Sequence, residues 1–186
     1  MPKGTLVDRE EALALVKENL KTQNLVKHSL AVEAGLKELA EHFGEDREMW
    51  GLAGLLHDLD YEETKDDSAK HGIVTAEMLK DKVDAQIIYA IKAHSGKAPP
   101  LSTLDWSLYA VDPLTGLIVA ACLMHPEKKL EFLDTEFILH RFDEKRFAAG
   151  ASREQIKSCE NVGITLDEFV DLTLTGMQRI HEDLGL

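Results

Sequence analysis

The chain has 186 residues and carries 34 Asp and Glu against 21 Lys and Arg, a formal net charge of −13. This balance disfavours non-specific binding to nucleic acids and anionic membranes, both of which require basic patches. The length suits one domain with a full hydrophobic core.

Two features indicate where the protein works. Cys122 and Cys159 are far apart and form no C-x-x-C motif, so we expect reduced core thiols, which is typical of the cytoplasm. Residues 1–10 show no apolar h-region, so no secretory signal is expected there. The longest apolar run, 117–124, is much shorter than a membrane span.

Nearly every segment has a helical period, and no alternating pattern typical of a strand is visible. We therefore predict an all-α fold, a compact single-domain helical bundle over 1–186. Its core is expected at about 24–124, with C-terminal helices over 134–184 packing on that core.

Capping residues predict where the first helices begin. Asp8 and Glu11 have the spacing of a capping box at the start of the first helix. Asn24 precedes a longer helix, over about 25–43, which Gly44 closes.

Several polar side chains fall on, or directly after, the predicted apolar helix faces. In the second predicted helix, His28 shares the apolar face, whereas Glu33 and Glu38 tend to the other side. The third predicted helix ends near the pair His57 and Asp58, directly after an apolar run. Burying this pair is costly unless something satisfies it, and both side chains are ligands of divalent cations.

The second half of the chain continues the helical pattern. Residues 60–70 are polar and acidic, which predicts a loop or a single helical turn. Helices are predicted over 73–82, after His71, and over 85–95, with His94 near its end. Ser102 begins a long apolar helix that includes Asp112 and runs to Met124, and Pro113 should kink it or start a new one. Further starts are predicted at Asp134, Ser152 and the capping-box pair Thr165 and Glu168, the last helix spanning about 166–184.

Six metal-competent side chains thus fall on apolar helix faces or at helix ends. A helical bundle can bring such residues together in its core. Four imidazoles and two carboxylates suffice for two metal ions with open positions for water and substrate. The six are His28, His57, Asp58, His71, His94 and Asp112.

The order His … His-Asp … His … His … Asp resembles that of the HD-domain superfamily of metal-dependent phosphohydrolases. The local sequences at 54–60 (GLLHDLD) and 108–117 (LYAVDPLTGL) are similar to small bacterial and archaeal HDIG-type hydrolases. The tetrapeptide here is HDLD rather than HDIG, and the two positions that differ are not expected ligands.

This resemblance implies a bundle of the HD-domain type and a specific division of the ligands. His28, His57, Asp58 and Asp112 would hold one ion, and Asp58 would bridge to a second ion held by His71 and His94. The implied cofactors are one or two divalent transition metal ions, with Fe, Mn, Ni, Co and Zn as candidates.

The implied function is hydrolysis of a small phosphorylated, nucleotide-related substrate, a phosphomonoester or phosphodiester, by a metal-activated water. Asp58, His71 and His94 are the predicted catalytic residues. The expected partner is this small molecule, with no nucleic-acid polymer and no membrane, and the protein is expected to be a monomer or a homodimer.

Two other functions fit the same residues. The order of ligands also resembles HD-fold diiron oxygenases, and a metal-stabilised module that binds a ligand without catalysis is a third possibility. Individual residues keep alternatives too: His71 could bind a substrate phosphate, and His94 could interact with a helix dipole. The acidic stretch with Asp60, Glu62 and Lys65 could contact substrate, orient ligands or be solvated, and Lys97 could reach a phosphate.

Overall fold

A computed structural model describes residues 7–186 of the chain. The expectation about a secretory signal concerns residues that lie mostly outside this range. Within it the protein forms helices and turns and no β-strand, which confirms the predicted all-α class. The helices are α1 (Arg9–Asn19), α2 (Gln23–Phe43), α3 (Arg47–Leu56), α4 (Tyr61–Thr64), α5 (Ile73–Met78), α6 (Ala85–His94), α7 (Thr103–Met124), α8 (Thr135–Asp143), α9 (Arg153–Lys157), α10 (Leu166–Arg179) and α11 (His181–Leu184), with 3₁₀ turns at Leu130–Phe132 and Ser158–Val162.

Local capping explains most helix starts. At α1 the Asp8 side chain accepts a hydrogen bond from the Glu11 amide at 2.9 Å, and the Glu11 carboxylate accepts one from the Asp8 amide, as predicted. At α10 the Thr165 hydroxyl accepts from the Glu168 amide. The reciprocal hydrogen bond of the predicted capping box, from the Thr165 amide to the Glu168 carboxylate, is not formed. The Glu168 carboxylate instead faces the His42 Nδ1 at 3.6 Å.

The start of α2 differs from the prediction. The helix begins at Gln23, so Asn24 lies inside it and is not its cap. Glu62 of α4 accepts hydrogen bonds from the amides of Lys21 and Thr22, at 2.6 and 3.1 Å, and from the Thr22 hydroxyl. A side chain 40 positions away thus fixes this helix start, which local sequence patterns do not reveal.

Helix α7 is the central element of the core. By length and composition it could cross a membrane, but 56% of its apolar window is buried inside the fold, so it is weak evidence for a span. Pro113 lies within this single helix and does not start a new one. Since proline has no amide proton, the Tyr109 carbonyl lacks a helical partner, and Gln155 of α9 donates to it from Nε2 at 2.7 Å.

The approach of α3 to α2 positions the end of α3. A Cβ atom on Gly54 would lie 2.8 Å from the backbone nitrogen of Glu33 and 2.9 Å from the carbonyl carbon of Val32. Only glycine allows two helix backbones to come so close. This contact fixes the place where the chain leaves α3, at His57 and Asp58.

The two glutamates predicted on the outer side of α2 are buried. Only 4% of Glu33 and 6% of Glu38 is exposed to solvent. Arg9 of α1 pairs with Glu33, and Arg47 of α3 and Arg179 of α10 pair with Glu38. These cations replace water around the carboxylates, so both glutamates are buried although they lie off the predicted apolar face of α2. The packing of α10 on α2 supports the single-domain organisation over 1–186, which remains a proposal.

Candidate metal centre

The fold brings all six predicted ligand residues together. His28 lies on α2, His57 and Asp58 follow α3 directly, His71 precedes α5, His94 ends α6 and Asp112 lies on α7. In each of three overlapping groups, the nitrogen and oxygen atoms offered lie within 4.8 Å of one another. The groups are His28 with His57 and Asp58; His57 with His94 and Asp112; and Asp58 with His71 and His94. The cluster can hold a metal ion, and the role of each residue as a ligand remains a prediction.

His57 and His94 have the hydrogen bonding of metal ligands. The Nδ1 of His57 donates to the Gly54 carbonyl at 2.7 Å, and the Nδ1 of His94 donates to the Ile91 carbonyl at 2.6 Å. A carbonyl only accepts, so each ring carries a proton on Nδ1 and its Nε2 is the atom that remains for a ligand. Among residues 7–186, neither Nε2 has a hydrogen-bond partner, although both are buried. An unpaired buried polar atom is costly, and a metal ion bound at Nε2 would satisfy it.

His28 is oriented by Thr115 of α7, the helix that also carries Asp112. The Thr115 hydroxyl donates to the Asp112 carbonyl at 2.9 Å and accepts from the Nδ1 of His28 at 3.3 Å. The Nε2 of His28 is left facing Asp112, whose Oδ1 lies 3.0 Å away.

Asp60 fixes the fourth imidazole. Its buried carboxylate accepts from the Nδ1 of His71 at 2.8 Å and from the amides of Gly72 and Thr75 at 2.8 and 2.9 Å. Of the roles left open for Asp60, the structure supports the orientation of a ligand, since a carboxylate behind a histidine fixes both its tautomer and its direction. Gly72 adopts φ +76°, and a Cβ there would meet the Ser95 side chain, so the turn requires glycine.

Asp58 lies between two sets of imidazoles. Its Oδ2 is 3.4 Å from the Nε2 of His57 and 3.7 Å from that of His28. Its Oδ1 is 3.5 Å from the Nε2 of His71 and 3.4 Å from that of His94. Ligand atoms about 2.1 Å from one ion are separated by about 3.0–3.4 Å. The four observed distances, 3.4–3.7 Å, lie at or just above the upper end of this range, and their division between the two oxygens suits two ions bridged by one carboxylate.

The charges in this cluster depend on one another. Burial favours the neutral form of His57, but Asp58 and Asp112 outweigh it and raise the pKa of the imidazole well above its usual value. Burial likewise opposes ionisation of Asp58, but the neighbouring imidazoles, His57 first and then His94, lower its pKa well below the usual value. For Asp112, His28 and His57 outweigh burial and lower the pKa. A metal ion bound by His57 must therefore displace the proton that these carboxylates keep on its imidazole.

An open cavity of about 540 Å³ leads to the cluster. His28, Asp58, His71 and Asp112 form its inner part. Tyr61, 44% exposed, lies at this cavity with its ring 5.8 Å from that of His71. Sequence patterns did not identify Tyr61, and they did not identify the wall made by residues 148–151 and Gln155. A run of small residues has no local signal of function.

The other polar residues considered in the sequence lie away from the cavity. Glu62 caps α2, so it has a structural role. Lys65 is exposed, Lys97 is half-buried, and neither lines this cavity. Outside the cluster, His42 and His140 pair with glutamates, at 3.6 and 3.4 Å.

Comparisons with known proteins agree with this geometry. The family model described as HD domain matches residues 25–121, just over half of the chain. Similar proteins include Ribonuclease Y of Desulfotalea psychrophila, 33% identical over 138 residues, which are 71% of this chain and 26% of that protein. Ribonuclease Y of Lawsonia intracellularis is 33% identical over 170 residues, 88% of this chain and 32% of that protein. The chain therefore spans about a quarter to a third of the length of these relatives. No solved structure matches it.

These relatives also correct one prediction. The expectation of no nucleic-acid polymer as partner is contradicted by relatives named as ribonucleases. That expectation came from the net charge, which describes the whole surface and not the local field, and bound metal ions can reverse the local sign.

Proposed function

This chain belongs to the HD domain family and is a metal-dependent hydrolase by class, and on that premise we propose that it hydrolyses phosphodiester bonds in RNA. The main support for this proposal is the position of Asp58. One of its carboxylate oxygens faces His28 and His57, and the other faces His71 and His94. That arrangement suits two ions side by side, a common device for phosphoryl chemistry. The name of the relatives supplies RNA as the substrate class.

We assign the ligands as follows. His28, His57, Asp58 and Asp112 hold one ion, and Asp58, His71 and His94 hold the other. Fe, Mn, Ni, Co and Zn are the candidate ions, because imidazole and carboxylate donors suit all of them. Divalent ions of this kind lower the pKa of a water molecule toward neutrality and neutralise charge on phosphate oxygens.

Asp60 orients one of these ligands, and the ligands themselves determine the net charge of the site. Asp60 holds the His71 ring so that its Nε2 faces Asp58, at 3.5 Å. With neutral imidazoles the set contributes only the charges of Asp58 and Asp112, so two divalent ions leave it positive. An acidic protein can in this way attract an anionic backbone at a single point.

The cavity suits a single strand. At about 540 Å³ it has room for one or two nucleotides and not for a duplex. Tyr61 offers an aromatic face at the cavity on which an unpaired base can stack. We therefore place a single-stranded segment of RNA in this cavity, with the cleaved phosphate at the metal centre.

We also propose that the protein works in the cytoplasm. Both cysteines are buried and free, and burial raises the pKa of Cys159 to about 11. Such thiols are inert and suit a reducing compartment.

The test is cleavage of a labelled single-stranded oligoribonucleotide by the purified protein loaded with each candidate ion. We expect metal-dependent cleavage, and a loss of about a hundredfold or more in Asp58→Asn. His140→Gln, at an exposed histidine outside the cluster, should cleave as the wild type does. An all-deoxy oligonucleotide and a phosphomonoester complete the panel.

Two results would contradict the proposal. Metal-dependent cleavage that survives in Asp58→Ala would place the chemistry elsewhere. Turnover of phosphomonoesters with RNA left intact would keep the enzyme class and reject the substrate. Metal analysis of the same samples decides the stoichiometry: one ion per chain would move His71 and His94 from ligands to substrate contacts.

A further inference from the structure

Residues 148–151, between α8 and α9, form part of the wall of the cavity that leads to the metal centre. Their sequence is Ala-Ala-Gly-Ala, so the only polar groups they present are peptide groups. Among the described residues, 7–186, those that line this cavity include no lysine or arginine. A phosphate outside the metal centre therefore has few donors to meet here, and peptide N–H groups are among them.

Arg153 engages the carbonyl groups of this segment and of the turn before it. Its guanidinium donates to Ala148 and Ala151, each at 2.8 Å, and also to Phe147. It lies beside a second depression, formed on another side of the segment, and does not line the metal cavity. The remaining acceptors are the carbonyls of Arg141, Phe142 and Glu144.

This bonding determines where the amide protons point. In a trans peptide the C=O and N–H groups point in opposite directions, and the described chain has no cis peptide bond. Since the carbonyls of Phe147 and Ala148 face Arg153, the N–H groups of Ala148 and Ala149 face away from it. Ala148 and Ala149 line the metal cavity. Within residues 7–186 neither N–H donates to another protein group.

We propose that the N–H groups of Ala148 and Ala149 bind a phosphate of the substrate next to the one that is cleaved, and that Arg153 is the positioning residue that aims them. The proposal rests on the proposed function, because it places a strand with neighbouring phosphates in the cavity. Ala148 adopts φ +43°, and successive N–H groups at a left-handed residue form a concave site for anions. Gln155, bonded to the Tyr109 carbonyl, holds the start of α9 against α7 close to Asp112.

The first test needs no turnover. In the ¹⁵N-labelled, Zn²⁺-loaded protein, inorganic phosphate should shift the amide proton signals of Ala148 and Ala149 downfield in a saturable way. Arg153→Lys should weaken this binding about tenfold. Arg146→Lys, at an exposed arginine before the same segment, is the matched control and should bind phosphate as the wild type does. Signals of Ala148 and Ala149 that stay in place at saturating phosphate would overturn the proposal.

The second test uses RNA with one neutral linkage. A methylphosphonate on either side of the cleaved linkage, in separate substrates, should raise the KM of the wild type about tenfold on one side. In Arg153→Lys the KM for ordinary RNA should rise similarly, the kcat should hold, and the neutral linkage should cause no further loss. A merely structural arginine predicts a fall in kcat and an undiminished penalty from the neutral linkage, which would reject the positioning role.

A second pair of variants tests the proposal independently if Arg153→Lys does not fold. Glycine tolerates φ +43°, so Ala148→Gly should keep phosphate binding, whereas the β-branched Ala148→Val should displace the amides and weaken it. Equal binding by both variants would count against the proposal. Phosphate-dependent shifts in a protein that leaves RNA intact would reject the proposed function and leave only an anion site at these amides. RNA cleavage without the shifts would keep the proposed function and reject the amide site.

Discussion

Replacing Asp60 with asparagine should weaken the fold and the metal centre together. The Asp60 carboxylate is fully buried and accepts hydrogen bonds from His71, Gly72 and Thr75. Asparagine keeps one oxygen but replaces the other with an NH₂ group, which then faces a donor. At least one buried donor loses its partner, and the negative charge that strengthens the remaining bonds disappears.

The magnitude follows from the hydrogen bonds. Each bond to a charged group contributes about 1.5–3 kcal/mol, so we expect Asp60→Asn to lower the free energy of unfolding by about 2–4 kcal/mol. For a chain of 186 residues this corresponds to a fall in Tm of about 5–15 °C. Asp66→Asn, which alters an exposed carboxylate in the same acidic stretch, should leave the Tm almost unchanged.

The pH dependence provides a second signature in the metal-free protein. Burial opposes the charge on Asp60, but His71 and the amides outweigh it and lower the pKa of the carboxyl group. Its contribution is therefore lost as the pH falls below about 3.9. For His71, Asp60 and Asp58 outweigh burial and raise the pKa, so its contribution decreases as the pH rises above about 6.5. The difference in Tm between wild type and Asp60→Asn should be largest between these two values.

The metal assay distinguishes orientation of His71 from general stability. Loss of a carboxylate behind a histidine ligand typically lowers metal affinity about 10–100-fold. We expect this loss for one ion only, the one assigned to His71, in a calorimetric titration below the Tm of the variant. An Asp60→Asn protein with the Tm and both metal affinities of the wild type would refute the reasoning.

Three further outcomes are expected. Metal uptake should release protons and become tighter as the pH rises, because His57 has a raised pKa; calorimetry in buffers of different ionisation enthalpy measures this release. Tyr61→Phe should keep the KM for RNA, whereas Tyr61→Ala should raise it about tenfold through lost stacking; unchanged kinetics in both would remove Tyr61 from the site. Gly54→Ala should lower the free energy of unfolding by about 1–3 kcal/mol because its Cβ meets the α2 backbone, and denaturant unfolding of Gly116→Ala, a helical site with open space around it, should show no loss.

The six candidate ligands could be predicted from two signals: the residue type at each position and the order of the six along the whole chain. Each histidine or aspartate stands out against an apolar helix face, and the order along the chain resembles one family. The helix periods and the caps at Asp8 and Ser102 depend on residues within one turn, so they too could be predicted from the sequence.

What could not be predicted depends on partners distant in sequence. Glu33 is buried because Arg9, 24 positions away, pairs with it. The start of α2 depends on Glu62, and Asn24, the better local cap, lies inside the helix. Arg153 lies near residues 148–151 and binds the carbonyls of Ala148 and Ala151, but the cavity that this segment lines is completed by residues of α2 and α7, far away in sequence.

The acidic surface and the proposed RNA substrate are compatible for a structural reason. With a net charge of −13, the protein as a whole repels a polyanion, and the described residues at the cavity include no lysine or arginine to counter this. Without ions, Asp58 and Asp112 add to the repulsion. Ions bound at the centre would reverse this local charge, and the amides of Ala148 and Ala149 would offer a second point of attraction. Binding along a long backbone requires an extended basic groove, so we expect the metal centre to favour short single-stranded segments whose phosphates reach these two points.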